Sequence, residues 1–319
     1  GSKDCYTGRR LSFTHFFVIH NVCSKRKQIN LKHKPFAMKK ILVPTDFSAC
    51  ANNAANFAIQ TAKYLPVKVV LLHAFETSES PYARYVGLDL EYTNLLKKDL
   101  RSMLNTLANN IKNTDGVEVE TILTDKSLSE SISTVCEAQE IDLIVMGTLG
   151  ATGLREKLWG SKTASQIDKT TAPLMVIPHN YSWKKPERFL FATNHFEENE
   201  IILNYLFEMA SMYQANLEIT SFTDEDSPEA IQQLQNKLDG YCDKLKPVYD
   251  NALTNTVLHG DRFDETLQHY ITKDDVDILT MVTYHKDKSF FYRLFNASAT
   301  TKMSYHTETP LLVIPGGGH

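Results

Sequence analysis

The sequence predicts an α/β fold: two tandem domains, each a parallel sheet with helices on both faces. Three observations carry this. Short apolar, β-branched runs alternate with segments of helical spacing, the order a parallel sheet needs. The runs are continuously apolar, as in strands covered on both faces. And three runs of the first half recur in the same order in the second: Ile41–Thr45 (ILVPT) as Phe189–Thr193 (FLFAT), Ile141–Gly147 (IDLIVMG) as Val276–Val282 (VDILTMV), Ala172–Pro178 (APLMVIP) as Thr309–Pro315 (TPLLVIP).

Along the chain, Ile41–Val43 reads as a buried strand ended by the turn Pro44, Thr45, Asp46. Ser48 precedes the alanine-rich Ala49–Tyr64 and can cap it as a helix. Val67–Ala74 is the second strand, and Glu76–Gly87 a polar loop. Leu88–Asn113 places Leu96, Leu100, Met103, Leu104, Leu107 and Ile111 at helical spacing. Asp115-Gly116 is a turn before a third strand, Val117–Leu123. Ser127 and Glu130 form a capping box for a helix with Leu128, Ile132 and Val135 inward. Ile141–Met146 is the fourth strand; a glycine loop, a short helix from about Ser161 and a fifth strand, Pro173–Ile177, follow. A linker near His179–Lys185 opens the second half. The domains expected are 38–180 and 186–316.

The chain of 319 residues fits that count at about 150 residues per domain. Its 42% hydrophobic and 23% charged residues exclude a largely disordered, collagen-like or coiled-coil chain. It has no apolar stretch of the ~18 residues that a spanning helix requires, so no membrane partner is expected. Residues 1–37 carry eight Lys/Arg against Asp4, or +7, which leaves 26 − 37 = −11 on the remainder. An acidic body argues against nucleic acid as a partner. Five widely spaced cysteines without a CxxC suit a reducing, cytoplasmic setting. Residues 1–37 read as an extension without function of its own, with Gly1-Ser2 as a cloning remnant and Met38 as a natural start.

The sharpest local feature follows the fourth strand: Gly147-x2-Gly150-x9-Gly160-Ser161, with Lys162 next. Glycines permit close backbone approach, and a helix N-terminus offers unpaired N–H groups that suit phosphate. The loop is neither a Walker A sequence nor a GxGxxG placed after a first strand. Taken alone, it is equally a glycine-rich turn that serves only the backbone.

With its flanking strands, the pattern resembles the ATP-binding signature of the universal stress protein family. Ile41–Ser48 resembles that family's first strand and turn, Leu71–His73 its second strand, and Ile141–Gly147 and Pro173–Pro178 its fourth and fifth. The resemblance covers about Met38–Pro178 and, more weakly, Pro186–Pro315. It implies five parallel strands in the order 3-2-1-4-5 and a site in the crevice between the first and fourth. It further implies Pro44, Thr45, Asp46 and Ala74 around adenine and ribose. Met146 and Gly147 would line the nucleoside, and Gly150, Gly160, Ser161 and Lys162 hold phosphates. Asp46 could instead cap a turn, and His73 fits a packed, hydrogen-bonded histidine better than a catalyst.

The second half departs from the signature: Ala192 stands for Pro44, Asn194 for Asp46, Val282 for Gly147, His285 for Gly150, and Ala297-Ser298 for Gly160-Ser161. The expectation is ATP in the first half only, with Mg²⁺ left open as its companion. The function expected is a regulatory role in stress response, exercised through pairing of the two domains or a protein partner, with a further homodimer left open. A slow ATPase or nucleotidyl-transfer enzyme is the alternative, although no clear water-positioning base accompanies the loop. A scaffold without nucleotide is the third reading.

Overall fold

The computed structural model describes residues 38–75, 88–148, 163, 166–167, 169–170, 172–249, 252–284 and 308–316. The first half supplies β1 (Lys40–Pro44), α1 (Ala49–Tyr64), β2 (Lys68–Ala74), α2 (Leu88–Asp115), β3 (Val119–Thr124), α3 (Leu128–Gln139), β4 (Leu143–Gly147) and β5 (Leu174–Ile177). The second supplies β6 (Arg188–Ala192), α4 (Glu200–Met212), β7 (Asn216–Thr223), α5 (Pro228–Leu245), β8 (Leu253–His259), α6 (Phe263–Lys273), β9 (Ile278–Thr283) and β10 (Leu311–Pro315). The extension 1–37, the loop 76–87 and most of the short helix expected from Ser161 lie outside the described residues.

Local chemistry sets the helix boundaries. Ser48 Oγ accepts the Ala51 N–H (3.2 Å) and starts α1. The helix stops at Leu65, held extended at φ −120°, because the residue before a proline, here Pro66, is disfavoured in α geometry. Ser127 Oγ accepts the Glu130 N–H (3.3 Å) and starts α3. The Glu130 carboxylate, expected to complete the capping box, instead pairs with Lys126 (2.8 Å). On α2, Leu104 and Ile111 are buried and Leu107 packs beside them, while Met103 is exposed.

The strands form one ten-stranded sheet in the order β3-β2-β1-β4-β5-β10-β9-β6-β7-β8. Each half therefore has the order 3-2-1-4-5, parallel throughout. The halves join where β5 and β10 pair antiparallel, Leu311 opposite Val176, Leu312 opposite Met175 and Val313 opposite Leu174. Successive side chains enter opposite cores. Ile41, Val43, Val145, Phe189, Phe191 and Leu312 pack under α1, α2, α4 and α5. Leu42, Ile144, Leu190, Leu311 and Val313 pack under α3 and α6. Both cores run through both halves.

Polar contacts fix the frame at two levels. Asp142 Oδ2 accepts the N–H groups of Lys39 (2.7 Å) and Lys40 (3.0 Å), tying the entry of β4 to that of β1. Asp277 repeats this in the second half with Glu187 (2.8 Å) and Arg188 (2.9 Å). Between halves, Tyr205 donates to the Asp142 carbonyl (3.1 Å), and the Thr61 and Tyr213 hydroxyls share a buried hydrogen bond (2.9 Å). Burial pushes the Tyr205 and Tyr213 phenols upward, so both remain protonated. The linker is packed: Tyr181 lies against Phe57, Trp183 against Tyr64, and Lys184 pairs with Asp277 (2.6 Å).

Leu312 is fully buried at the seam. Leu312→Ala is expected to lower unfolding free energy by about 2–5 kcal/mol, measured by urea denaturation. A change under about 0.5 kcal/mol, typical of a surface site, would mean that the seam does not bear on stability.

Candidate functional site

Strand β1 sits between β2 and β4, and the chain leaves it in opposite directions. A ligand crevice at such a switch point lies beyond the carboxyl ends of the strands. Pro44, Thr45, Asp46, Ala74, Met146 and Gly147 all fall at that edge. Gly150, Gly160, Ser161 and Lys162 lie outside the described residues, as do Leu149 and the rest of the loop.

The turn after β1 is built by its own side chains. The Thr45 N–H donates to the Leu72 carbonyl (2.8 Å), which continues the ladder one residue past β1. Thr45 Oγ1 accepts the Phe47 N–H (3.0 Å), and Asp46 Oδ1 accepts the Ser48 N–H (3.0 Å). These short-range bonds hold Phe47 at φ 62°, a left-handed conformation uncommon for a side-chain-bearing residue. His73 Nδ1 reaches the Thr45 carbonyl (2.7 Å). A carbonyl only accepts, so Nδ1 carries the proton. The imidazole also stacks near Phe47, ring centroids 4.7 Å apart. Asp46 thus caps its turn, and His73 is the packed, hydrogen-bonded residue expected.

Strand β4 ends at Gly147 for a steric reason. A Cβ there would stand 2.6 Å from the Cys50 carbonyl oxygen in the first turn of α1. Thr163 Oγ1 donates to the Gly147 carbonyl (2.8 Å), and the Thr148 N–H donates to that of Ile177 (3.0 Å). Met146 is buried in the core under α3, while Ala74 is half-buried at the end of β2.

The matching edge of the second half uses the same scaffold with different chemistry. Thr193 N–H donates to the Thr220 carbonyl (2.9 Å), and Ser221 Oγ donates to the Thr193 carbonyl (2.6 Å), the role of His73. Asn194, in place of Asp46, both donates to the Phe222 carbonyl and accepts the Phe222 N–H, each at 2.9 Å. A carboxylate cannot make that pair, because it has no donor. The helix cap also comes later. Ser48 lies three residues past Thr45, whereas Asn199 lies six past Thr193. The helix thus starts later in the half where Val282 stands at the position that corresponds to Gly147.

That longer turn carries a buried acid the sequence reading missed. Glu197 Oε1 accepts the Asn199 N–H (2.6 Å), Oε2 accepts the Tyr284 hydroxyl, and the Glu197 carbonyl accepts that of Tyr241 (2.6 Å). Tyr284 also lies edge-on to His195, centroids 5.3 Å apart. Burial, then Glu197, holds the Tyr241 phenol well above its ordinary range. Among the described residues no group of three or more His, Cys, Asp or Glu is placed to hold a metal. Nor is any helix there long and apolar enough to cross a membrane.

Residues 38–178 match the model of the universal stress protein family. Two universal stress proteins of Methanocaldococcus jannaschii are similar to slightly under half of this chain. MJ0577 is 32% identical over 157 residues, 45% of this chain and 97% of its own. MJ0531 is 31% identical over 155 residues, 47% of this chain and 84% of its own. The solved universal stress protein of Archaeoglobus fulgidus aligns with 88% of this chain and 100% of its own at a TM-score of 0.63. At 14% identity it speaks to the fold alone.

Gly147→Ala forces the Cys50 carbonyl and α1 to shift. It is expected to cost about 1–3 kcal/mol in thermal or chemical unfolding. A variant as stable as the parent would show that the close approach is not a constraint.

Proposed function

This chain belongs to the universal stress protein family, and from that premise we propose that it binds ATP in its first half only and acts as a regulatory switch in stress response. The observation that supports a single site is the contrast between the two crevices. In the second half the Asn194 amide is closed onto Phe222, and Glu197 is closed onto Tyr284. In the first half the corresponding edge carries the small residues Ala74 and Gly147 and, in place of the amide, the Asp46 carboxylate, which accepts the Ser48 N–H.

The residues fit a nucleotide. Pro44, Ala74 and Met146 would lie around the base, with half-buried Ala74 nearest the surface, and a carboxylate accepts from ribose hydroxyls. In this reading Gly147 lines the nucleoside with Met146, and Gly150, Gly160, Ser161 and Lys162 hold the phosphates. Domains 38–180 and 186–316 are then the nucleotide-bearing unit and its structural partner. Binding is favoured over turnover, because in this reading Asp46 serves its turn and the ribose, and His73 is packed on Phe47 and bonded to the Thr45 carbonyl. Asp46 Oδ1 accepts from Ser48, and His73 Nδ1 donates to Thr45. A bound ligand shifts a regulatory equilibrium only by its difference in affinity between states. Helix α1 is the element through which occupancy would reach the second half. It begins at the site, Asn53 holds the Pro178 carbonyl (2.9 Å), and Thr61 meets Tyr213.

Calorimetric titration with ATP, with and without Mg²⁺, is expected to give one site per chain. Asp46→Ala should weaken binding about tenfold, roughly 1.4 kcal/mol, and Asn194→Ala should leave it unchanged. Two sites per chain, or no binding at millimolar ATP, would overturn the proposal.

A further inference from the structure

A second departure between the halves lies at the opposite edge of the sheet, under α6. The registers place Glu218 where the first half has Val70, and Thr256 where it has Ile122. Matching helix-to-strand bonds, Ile141 N–H to Cys136 O and Val276 N–H to Ile271 O, place Tyr270 where it has Val135. In the first half all three are apolar and pack into the core under α3. In the second they form one polar cluster. Thr256 Oγ1 (2.7 Å) and the Tyr270 hydroxyl (2.6 Å) both donate to Glu218 Oε1. Burial, then the Glu218 contact, pushes the Tyr270 phenol up to about 12, so it stays a donor.

Replacing packed aliphatic groups by a largely buried carboxylate is not a route to stability. Glu218 also lines a cavity of about 320 Å³, with Arg188, Asn216 and Thr254 in its wall beside Phe189, Ala252 and Val276. That volume falls within the ~300–1,000 Å³ of small-molecule pockets.

Its charges select the ligand. Arg188 Nη2 stands 3.6 Å from Glu218 Oε2, the Arg188 side chain 41% exposed and that of Glu218 12%. This is longer than the ~2.7–2.9 Å of a closed charge-assisted bond. An anion drawn to the guanidinium would face the carboxylate, and a cation drawn to the carboxylate would face the guanidinium. A molecule carrying both charges satisfies both. We propose that this cavity binds a small zwitterion of the α-amino-acid class, its carboxylate on the Arg188 guanidinium and its ammonium on Glu218. Thr256 and Tyr270 are positioning residues, which fix Oε1 and leave Oε2 on the Arg188 side, where the ligand's ammonium would meet it. The site is independent of the nucleotide reading.

The test is calorimetric titration of the full chain with the standard amino acids, beside acetate and methylammonium as the two half-ligands. Saturable binding of at least one amino acid is expected, with neither half-ligand binding within about tenfold of it. Glu218→Val restores the first-half residue and should abolish that binding while leaving the circular dichroism spectrum and ATP titration unchanged. Arg188→Met, at a half-exposed position, should abolish it too and carries the test should Glu218→Val fail to fold. No saturable heat for any amino acid at about 10 mM would overturn the proposal, as would acetate binding equally well or binding that survives Arg188→Met.

Discussion

A parallel five-stranded sheet that ends in Leu174-Met-Val-Ile177 cannot leave that strand at an edge. All four residues are fully buried, and so are Leu311, Leu312 and Val313 of the equivalent strand. An uncovered apolar edge offers its unpaired N–H and C=O groups to any passing strand. Here each edge satisfies the other, through three antiparallel residue pairs. The consequences spread from that seam. Both cores become continuous across the halves, and the helices next to it bury polar contacts such as Thr61 with Tyr213. The outer edges, β3 and β8, carry the more polar strands.

Within this shared frame, the halves differ where chemistry would occur. Their strand ladders, their aspartates at the strand entries and the hydrogen bonds that begin each turn correspond closely. The differences are few. The cap arrives three residues later in the second half, and an amide replaces a carboxylate. A buried Glu197 accepts the Tyr284 hydroxyl at the strand ends. At the far edge, a carboxylate, a hydroxyl and a phenol replace three aliphatic side chains. A frame fixed by backbone pairing tolerates such exchanges, because the ladder does not depend on side-chain identity. One half can therefore carry a carboxylate and a glycine at its strand ends while the other carries an amide and a buried acid.

Much of this was legible in the sequence. Continuous apolar runs marked β1, β2, β4 and β5, and β6, β9 and β10 in the second half, since strands buried on both faces must be apolar at every position. Ser48 and Ser127 marked helix starts, because a side-chain oxygen beside a free N–H is a local requirement. Polar β7 and β8 were less visible, with Glu218, Thr254 and Thr256 interrupting the pattern. Met103 looked like a core residue by spacing, but it stands at the flank of the α2 stripe that Leu104 and Ile111 bury, and is exposed. The twin aspartates, Asp142 and Asp277, stood in plain view in the matched segments. Their role depends on which strand entry lies beside them, which spacing alone does not state. Glu197 and Tyr284 meet only in three dimensions, 87 positions apart.

The most direct measurement is a crystal structure of the full chain grown with a non-hydrolysable ATP analogue. Density for one nucleotide between the carboxyl ends of β1 and β4, beside Asp46 and Gly147, with Tyr284 still closed on Glu197, is the expected result. A nucleotide between β6 and β9, or an empty first-half crevice at saturating analogue, would contradict a single site set by the chemistry of the first half.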